Sequence, residues 1–129
     1  MSSAVLDASA VIALLKGERG DEKVATVVAD AAVGVFNHSE VVSHFVHLGA
    51  PIAEVRDMLG ALPFTVAPAD EALSWEAGVL RAATSQAGLS LGDRFCLALA
   101  KRMNVPAFTA DQGWKNIAEA AGVTVVTIR

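Results

Sequence analysis

The chain has 129 residues, the size of one domain, and is 53% hydrophobic but only 19% charged, which excludes a disordered polypeptide and allows a single buried core. Its net charge of −4 argues against holding nucleic acid through a broad basic surface, although an acidic pocket that binds a divalent cation meets phosphate through the cation's charge. No apolar run reaches the ~20 residues a membrane-spanning helix needs, and no secretory leader pattern opens the chain. One cytoplasmic domain over residues 1–129, without a membrane anchor, is therefore expected. Cys96 is the only cysteine, which rules out an internal disulfide and a Cys-rich zinc site; Phe95, Leu97 and Leu99 around it mark simple core filling.

Short β-branched or apolar runs alternate with longer segments of helical period, the signature of an α/β domain with a mainly parallel sheet. In chain order the reading is a strand at Ala4 to Leu6, helices at Ser9 to Leu15 and Asp21 to Ala31, and a strand at Gly34 to Phe36. Helices at Ser39 to Leu48 and Ile52 to Leu62 follow, then a strand at Phe64 to Val66, a long helix at Ala69 to Ala87 and another at Leu91 to Met103. A strand at Ala107 to Thr109, a helix at Trp114 to Ala121 and a strand at Thr124 to Thr127 complete the chain. Pro51 and Pro68 fall at or just before helix starts, and Gly49, Gly88 and Gly122 after helix ends, where each residue is favoured. There is no repeat or low-complexity linker to suggest a second domain.

Four acids occupy places where local structure alone could explain them. Asp7 follows the first strand and precedes the helix at Ser9, an N-cap position. Glu40 lies three residues after Asn37, and Asp93 three after Ser90, both resembling capping boxes. Asp111 follows a strand in Thr109-Ala110-Asp111-Gln112-Gly113 and suits a turn. Taken together, Asp7 and Asp111 leave the carboxyl ends of strands while Glu40 and Asp93 open helices near that same edge, where open parallel sheets bind ligands. Converging carboxylates repel unless something offsets the charge, and with oxygen donors alone a hard cation such as Mg²⁺ or Mn²⁺ does so. Phosphate is the matching substrate class, and repulsion is expected to raise the proton affinity of the group in the metal-free protein.

Val5-Leu6-Asp7-Ala8-Ser9-Ala10, Asn37-His38-Ser39-Glu40-Val41, Gly88-Leu89-Ser90-Leu91-Gly92-Asp93-Arg94 and Thr109-Ala110-Asp111 resemble the PIN-domain family, specifically VapC toxins. The resemblance runs to the closing Val125-Val126-Thr127-Ile128-Arg129 and implies a five-stranded, mainly parallel sheet flanked by helices. It places Asp7, Glu40, Asp93 and Asp111 at the family's four acidic metal-site positions and Thr109 at a hydroxyl position beside them. It also implies an Mg²⁺- or Mn²⁺-dependent endoribonuclease acting on transfer or ribosomal RNA and held inactive by a cognate antitoxin. A homodimer is expected from the resemblance and the apolar composition. His38, Ser39 and Gln112 depart from common relatives, which bears on target choice. Arg94, Lys16 and Arg19 are possible RNA contacts, each read individually as a solvated charge.

Other chemistries fit less well. Gly88-Leu89-Ser90-Leu91-Gly92 matches the Gly-x-Ser-x-Gly of serine hydrolases, but a helix precedes it and all three histidines come earlier in the chain, the wrong order for that triad. Glu40, His44 and His47 share a helix face with zinc-ligand spacing, yet Val41, Val42, Phe45 and Leu48 claim the buried stripe and leave the histidines outward. A receiver-like signalling domain would share the acidic pocket, but no acid follows Phe64-Thr65-Val66-Ala67-Pro68 and no Lys closes the last strand. A catalytically inactive RNA-binding relative is disfavoured because all four acids are present.

Overall fold

The computed structural model describes residues 2–129. Five short parallel strands form one sheet: β1 (Ala4–Leu6), β2 (Ala31–Gly34), β3 (Thr65–Ala67), β4 (Ala107–Thr109) and β5 (Val125–Thr127), in the order β3-β2-β1-β4-β5. Helices α1 (Ala8–Lys16), α2 (Asp21–Ala25), α3 (Val35–His47), α4 (Ile52–Gly60), α5 (Glu71–Thr84), α6 (Leu91–Met103) and α7 (Ala118–Ala121) flank it. The α/β class and parallel sheet expected from the alternating pattern are as found. The strand order reverses between β1 and β4, which differs from the 2-1-3-4-5 order of receiver domains and removes that alternative.

Successive strand residues point to opposite faces, and each face has its own core. Ala4 and Leu6 of β1 join Val11, Val24, Val41, Val55 and Leu59 on one side. Val5 packs with Leu73, Ala77, Leu80 and the Phe95 to Ala100 run of α6 on the other. Burial on both faces explains why the central strands β1 and β2 read as unbroken apolar runs, whereas the edge strand β3 is exposed at Thr65 and Val66. Cys96 is wholly buried and free, and burial pushes its thiol well up, with the charges of Asp7, Asp93 and Glu40 adding to the effect. It is core filling, as expected.

Several boundaries move. The helix expected over Asp21 to Ala31 stops at Ala25, a 3-10 turn covers Val28–Asp30, and Ala31 and Ala32 belong to β2. Alanine favours helix locally, but these two lie between neighbouring strands with 1% exposure each, and packing decides. Val35 and Phe36, read as strand by their bulk, instead open α3, where Phe36 stacks on Phe95 with centroids 4.1 Å apart. Leu48 is 60% exposed rather than part of the buried stripe, because it caps α3 at its outer end. The segment read as Trp114 to Ala121 is a 3-10 turn at Gln112–Asn116 followed by α7.

Candidate functional site

The strand order reverses between β1 and β4, and in open parallel sheets the crevice outside the carboxyl ends of the strands at such a point is the usual ligand position. Asp7 stands at the β1 side of that crevice, and Thr109, Ala110 and Asp111 at the β4 side. The two strands are tied there by the Asp7 amide, which donates to the Phe108 carbonyl at 3.1 Å.

Asp7 is the buried centre of the arrangement, 5% exposed. Its Oδ1 accepts from the Ala10 amide at 2.9 Å and the Ser9 hydroxyl at 2.7 Å, and its Oδ2 accepts from the Thr109 hydroxyl. It is thus an N-cap of α1 as well as a site residue. Ser9 in turn accepts from the Ala110 amide at 2.9 Å, and Thr109 accepts from the Asp111 amide at 3.0 Å, so two hydroxyls weld the strand ends together. In the sequence, Ser9 at the start of a helix reads as a boundary residue; Asp-x-Ser directly after a strand is the signal that marks its hydrogen bond to Asp7.

Glu40 reaches the crevice from α3. It does not belong to a capping box: α3 begins at Val35, so Asn37 and Glu40 sit one turn apart inside the helix. Asn37 is 1% exposed, and its Nδ2 donates to Glu40 Oε1 at 2.8 Å and to the Gly92 carbonyl at 3.2 Å. Both partners are acceptors, which settles the orientation of the amide and leaves its Oδ1 without a donor. Asn37 is therefore a positioning residue that joins α3 to the first turn of α6. Gly92 makes the approach possible, since a Cβ there would lie 2.6 Å from Glu40 Oε1.

Asp93 forms the capping box read from the sequence: Ser90 Oγ accepts from the Asp93 amide at 3.1 Å, and Asp93 Oδ2 accepts from the Ser90 amide at 3.0 Å. Ser90 is consequently an N-cap following a 3-10 turn at Ser85–Ala87, not a nucleophile on a strand-to-helix elbow. Asp111 is exposed and closes a turn, its Oδ1 accepting from the Gly113 amide at 2.8 Å. In Glu40, Asp93 and Asp111 one carboxylate oxygen carries these local bonds, and the other has no partner among the described residues. Local bonding orients each acid without using up its donor capacity.

Burial is the main reason the Asp7 pKa rises from 3.8 to about 6; its hydrogen bonds to Thr109, Ser9 and Ala10 oppose the rise, and the charge of Asp93 adds the smallest contribution. Burial also raises Glu40, opposed by the Asn37 hydrogen bond and reinforced by Asp93. The direction matches the expectation for a carboxylate cluster, but its leading cause is desolvation rather than mutual repulsion. Asp7, Glu40 and Asp93 are electrostatically linked through Asp93, whereas Asp111 sits to one side at the end of β4. Among the described residues no three acidic, histidine or cysteine side chains close tightly enough to enclose an ion. By donor chemistry alone, a set of carboxylate oxygens without Cys or His is of the kind a hard cation such as Mg²⁺ or Mn²⁺ takes, largely through its hydration shell.

His44 is half-buried, with its Nε2 3.5 Å from Lys16 Nζ, and His47 is exposed, so no zinc site forms with Glu40. Lys16 lies 3.9 Å from Glu18 in an exposed ion pair. Arg94, read as solvated, is 8% exposed and extends toward α5, where its Nη1 donates to the Ala77 carbonyl at 3.3 Å.

The fold has relatives among solved structures. A toxin–antitoxin complex from Klebsiella pneumoniae contains a chain that superposes with TM-score 0.76 and 20% identity, covering 98% of each chain. A DNA-bound VapBC from Salmonella typhimurium gives 0.77 and 14% over 100% of each. VapBC-5 from Mycobacterium tuberculosis gives 0.62 and 22% over 97% of this chain and 98% of the other. At these identities the likeness establishes the shared fold. No curated protein sequence matches. The family profile described as PIN domain matches residues 4–120, and with that match spanning all four acids and the sheet that carries them, the chain belongs to the PIN-domain family.

Proposed function

We propose that this protein is an Mg²⁺- or Mn²⁺-dependent endoribonuclease and the toxin of a VapBC-type toxin–antitoxin pair. The observation that carries the reading is the set of carboxylates brought from β1, α3 and α6 to one switch-point crevice, with Asp111 at its β4 margin. Asp7 and Asp93 would hold the cation, with Glu40 and Asp111 completing the set directly or through water. When bound, it supplies charge neutralisation at the scissile phosphate and acidification of a coordinated water.

The chain's own residues account for the preorganisation. Thr109 and Ser9 fix the rotamer of Asp7 by hydrogen bonds to its two oxygens. Asn37 holds Glu40 against α6, and the Ser90 amide aims Asp93. Burial of Asp7 raises its proton affinity, so its negative charge is restored fully only when a cation or a higher pH favours it.

Support for an antitoxin partner comes from the toxin–antitoxin complexes that share the fold. A homodimer is consistent with Trp75 and Val79, which expose 69% and 68% of their surface on α5. The proposed toxin acts on transfer or ribosomal RNA in the cytoplasm; among the described residues no helix is long and apolar enough to cross a membrane. The test is to map new RNA ends in total cellular RNA after induction, with Asp7→Asn as control. Discrete ends that require Asp7 support the reading; an unchanged end profile for the wild type overturns it.

A further inference from the structure

Arg94 is the most unusual charge in the molecule. The residue is more than nine-tenths buried, its Nη1 donates to the Ala77 carbonyl, its Nε has no acceptor, and among the described residues no carboxylate pairs with it. An always-charged group held out of water without a counter-ion is unfavourable unless an anion arrives from outside. There is room for one: Arg94 lines an open cavity of about 270 Å³ together with Arg81, Thr84, Ser85 and Gly88. Arg81 and Ser85 are exposed and able to turn toward a guest. The Thr84 hydroxyl is occupied by the Leu80 carbonyl at 2.8 Å, so the two arginines supply the positive charge.

The cavity adjoins the acidic crevice. Arg94 is the next residue after Asp93 in the first turns of α6. The Ser85–Ala87 turn on its rim packs against the Gln112–Asn116 turn that Asp111 caps. With the scissile phosphate at the acids, a neighbouring backbone phosphate would be the nearest anion for an arginine one residue from Asp93. A chain of net charge −4 needs local cations to hold such a polyanion.

We infer that the Arg81–Arg94 cavity is a phosphate subsite, which binds a backbone phosphodiester of the RNA next to the one cleaved. This rests on the nuclease reading above. A planar guanidinium presents paired N–H donors matched to phosphate oxygens, and the phosphate would provide the counter-charge that Arg94 lacks.

The experiment has two arms. In the first, the Arg94 Nε–H resonance of the full chain is followed by NMR during titration with inorganic phosphate. A saturable shift that weakens in Arg81→Ala supports the subsite, and an unmoved resonance overturns it. In the second, Arg81→Ala and Arg94→Met are assayed on an oligoribonucleotide that the wild type cleaves. Expected is a KM raised roughly tenfold, the loss of about one charge-assisted contact, with kcat retained. Arg81 is exposed, so its variant remains informative if Arg94→Met fails to fold. Unchanged KM in Arg81→Ala overturns the proposal even if the wild type is an active ribonuclease. If phosphate moves Arg94 but no RNA is cut, the nuclease reading falls and the assignment to an RNA phosphate falls with it, leaving an anion site. If Arg81→Ala weakens antitoxin binding while KM for RNA is unchanged, the cavity serves a protein carboxylate and the proposal is wrong.

Discussion

Asp7 combines two demands that conflict in water. It caps α1 and anchors Thr109, yet burial makes its charge unfavourable and holds its pKa at about 6. Because the folded value lies above the unfolded 3.8, the folded state binds the proton more tightly. The resulting stability is fully present below the unfolded pKa and disappears as pH rises through the folded one. For the metal-free protein, chemical denaturation from pH 4 to pH 7 in EDTA should show a loss of up to about 3 kcal/mol from this residue. Asp7→Asn keeps the shape and an acceptor for the Ala10 amide but cannot ionise. It should flatten that slope, melt higher than wild type at neutral pH without metal, and gain less when metal is added. A variant that melts lower without metal and gains as much with it would reduce Asp7 to a cap. Asp93→Asn is the cleaner test of chemistry, because the capping box can be kept through the amide oxygen. RNA cleavage should fall by roughly a hundredfold or more while the circular dichroism spectrum is unchanged, and full activity would remove Asp93 from the site.

At the scale of elements, the site depends on how closely α3 and α6 approach. Gly92 sits in the first turn of α6 with the Glu40 carboxylate in the space a side chain would fill. Alanine is the better helix residue by about 1 kcal/mol, and the obstructing atoms belong to the end of a flexible side chain. Gly92→Ala should therefore leave the melting temperature unchanged or slightly raised, while pushing Glu40 aside and lowering cleavage by about tenfold to a hundredfold. Equal activity would show that Glu40 is not held where the reaction needs it. Gly20 gives the contrasting case: φ is +95°, and an added Cβ would lie 2.3 Å from the Ile128 carbonyl oxygen. Gly20→Ala should lower the melting temperature clearly, since both backbone conformation and rigid main chain oppose it.

For the whole molecule, the switch-point crevice concentrates acids that lack a counter-charge, so cation binding and stability are linked. Mg²⁺ or Mn²⁺ at a hundred times its dissociation constant should stabilise the fold by about 2.7 kcal/mol. EDTA should reverse this and abolish cleavage. A melting curve indifferent to both cations would remove the shared metal site. The proposed homodimer is checked by light scattering at micromolar concentration, where a monomer would overturn it.

The pattern of apolar runs and helical periods was enough to reveal the α/β class, because burial on both faces of a parallel sheet leaves its central strands largely apolar. The four acids were equally visible, since each sits at a strand end or near a helix start, and the caps formed by Asp7 and Asp93 followed from local spacing alone. Tertiary structure decided what local propensity could not. Ala31 and Ala32 became strand because their backbones pair with neighbouring strands while their side chains are buried in the cores on the two faces of the sheet, and with β2 ending at Gly34 the helix α3 starts at Val35. Asn37 consequently became the link between Glu40 and Gly92 instead of an N-cap, a contact spanning 55 positions. The same holds for Arg94: its place in the sequence suggested a solvated charge, but the packing of α6 against α5 withdrew it from water. Burial, not mutual repulsion, set the proton affinity of Asp7, because desolvation depends on what surrounds a carboxylate in space, which residue order alone does not specify.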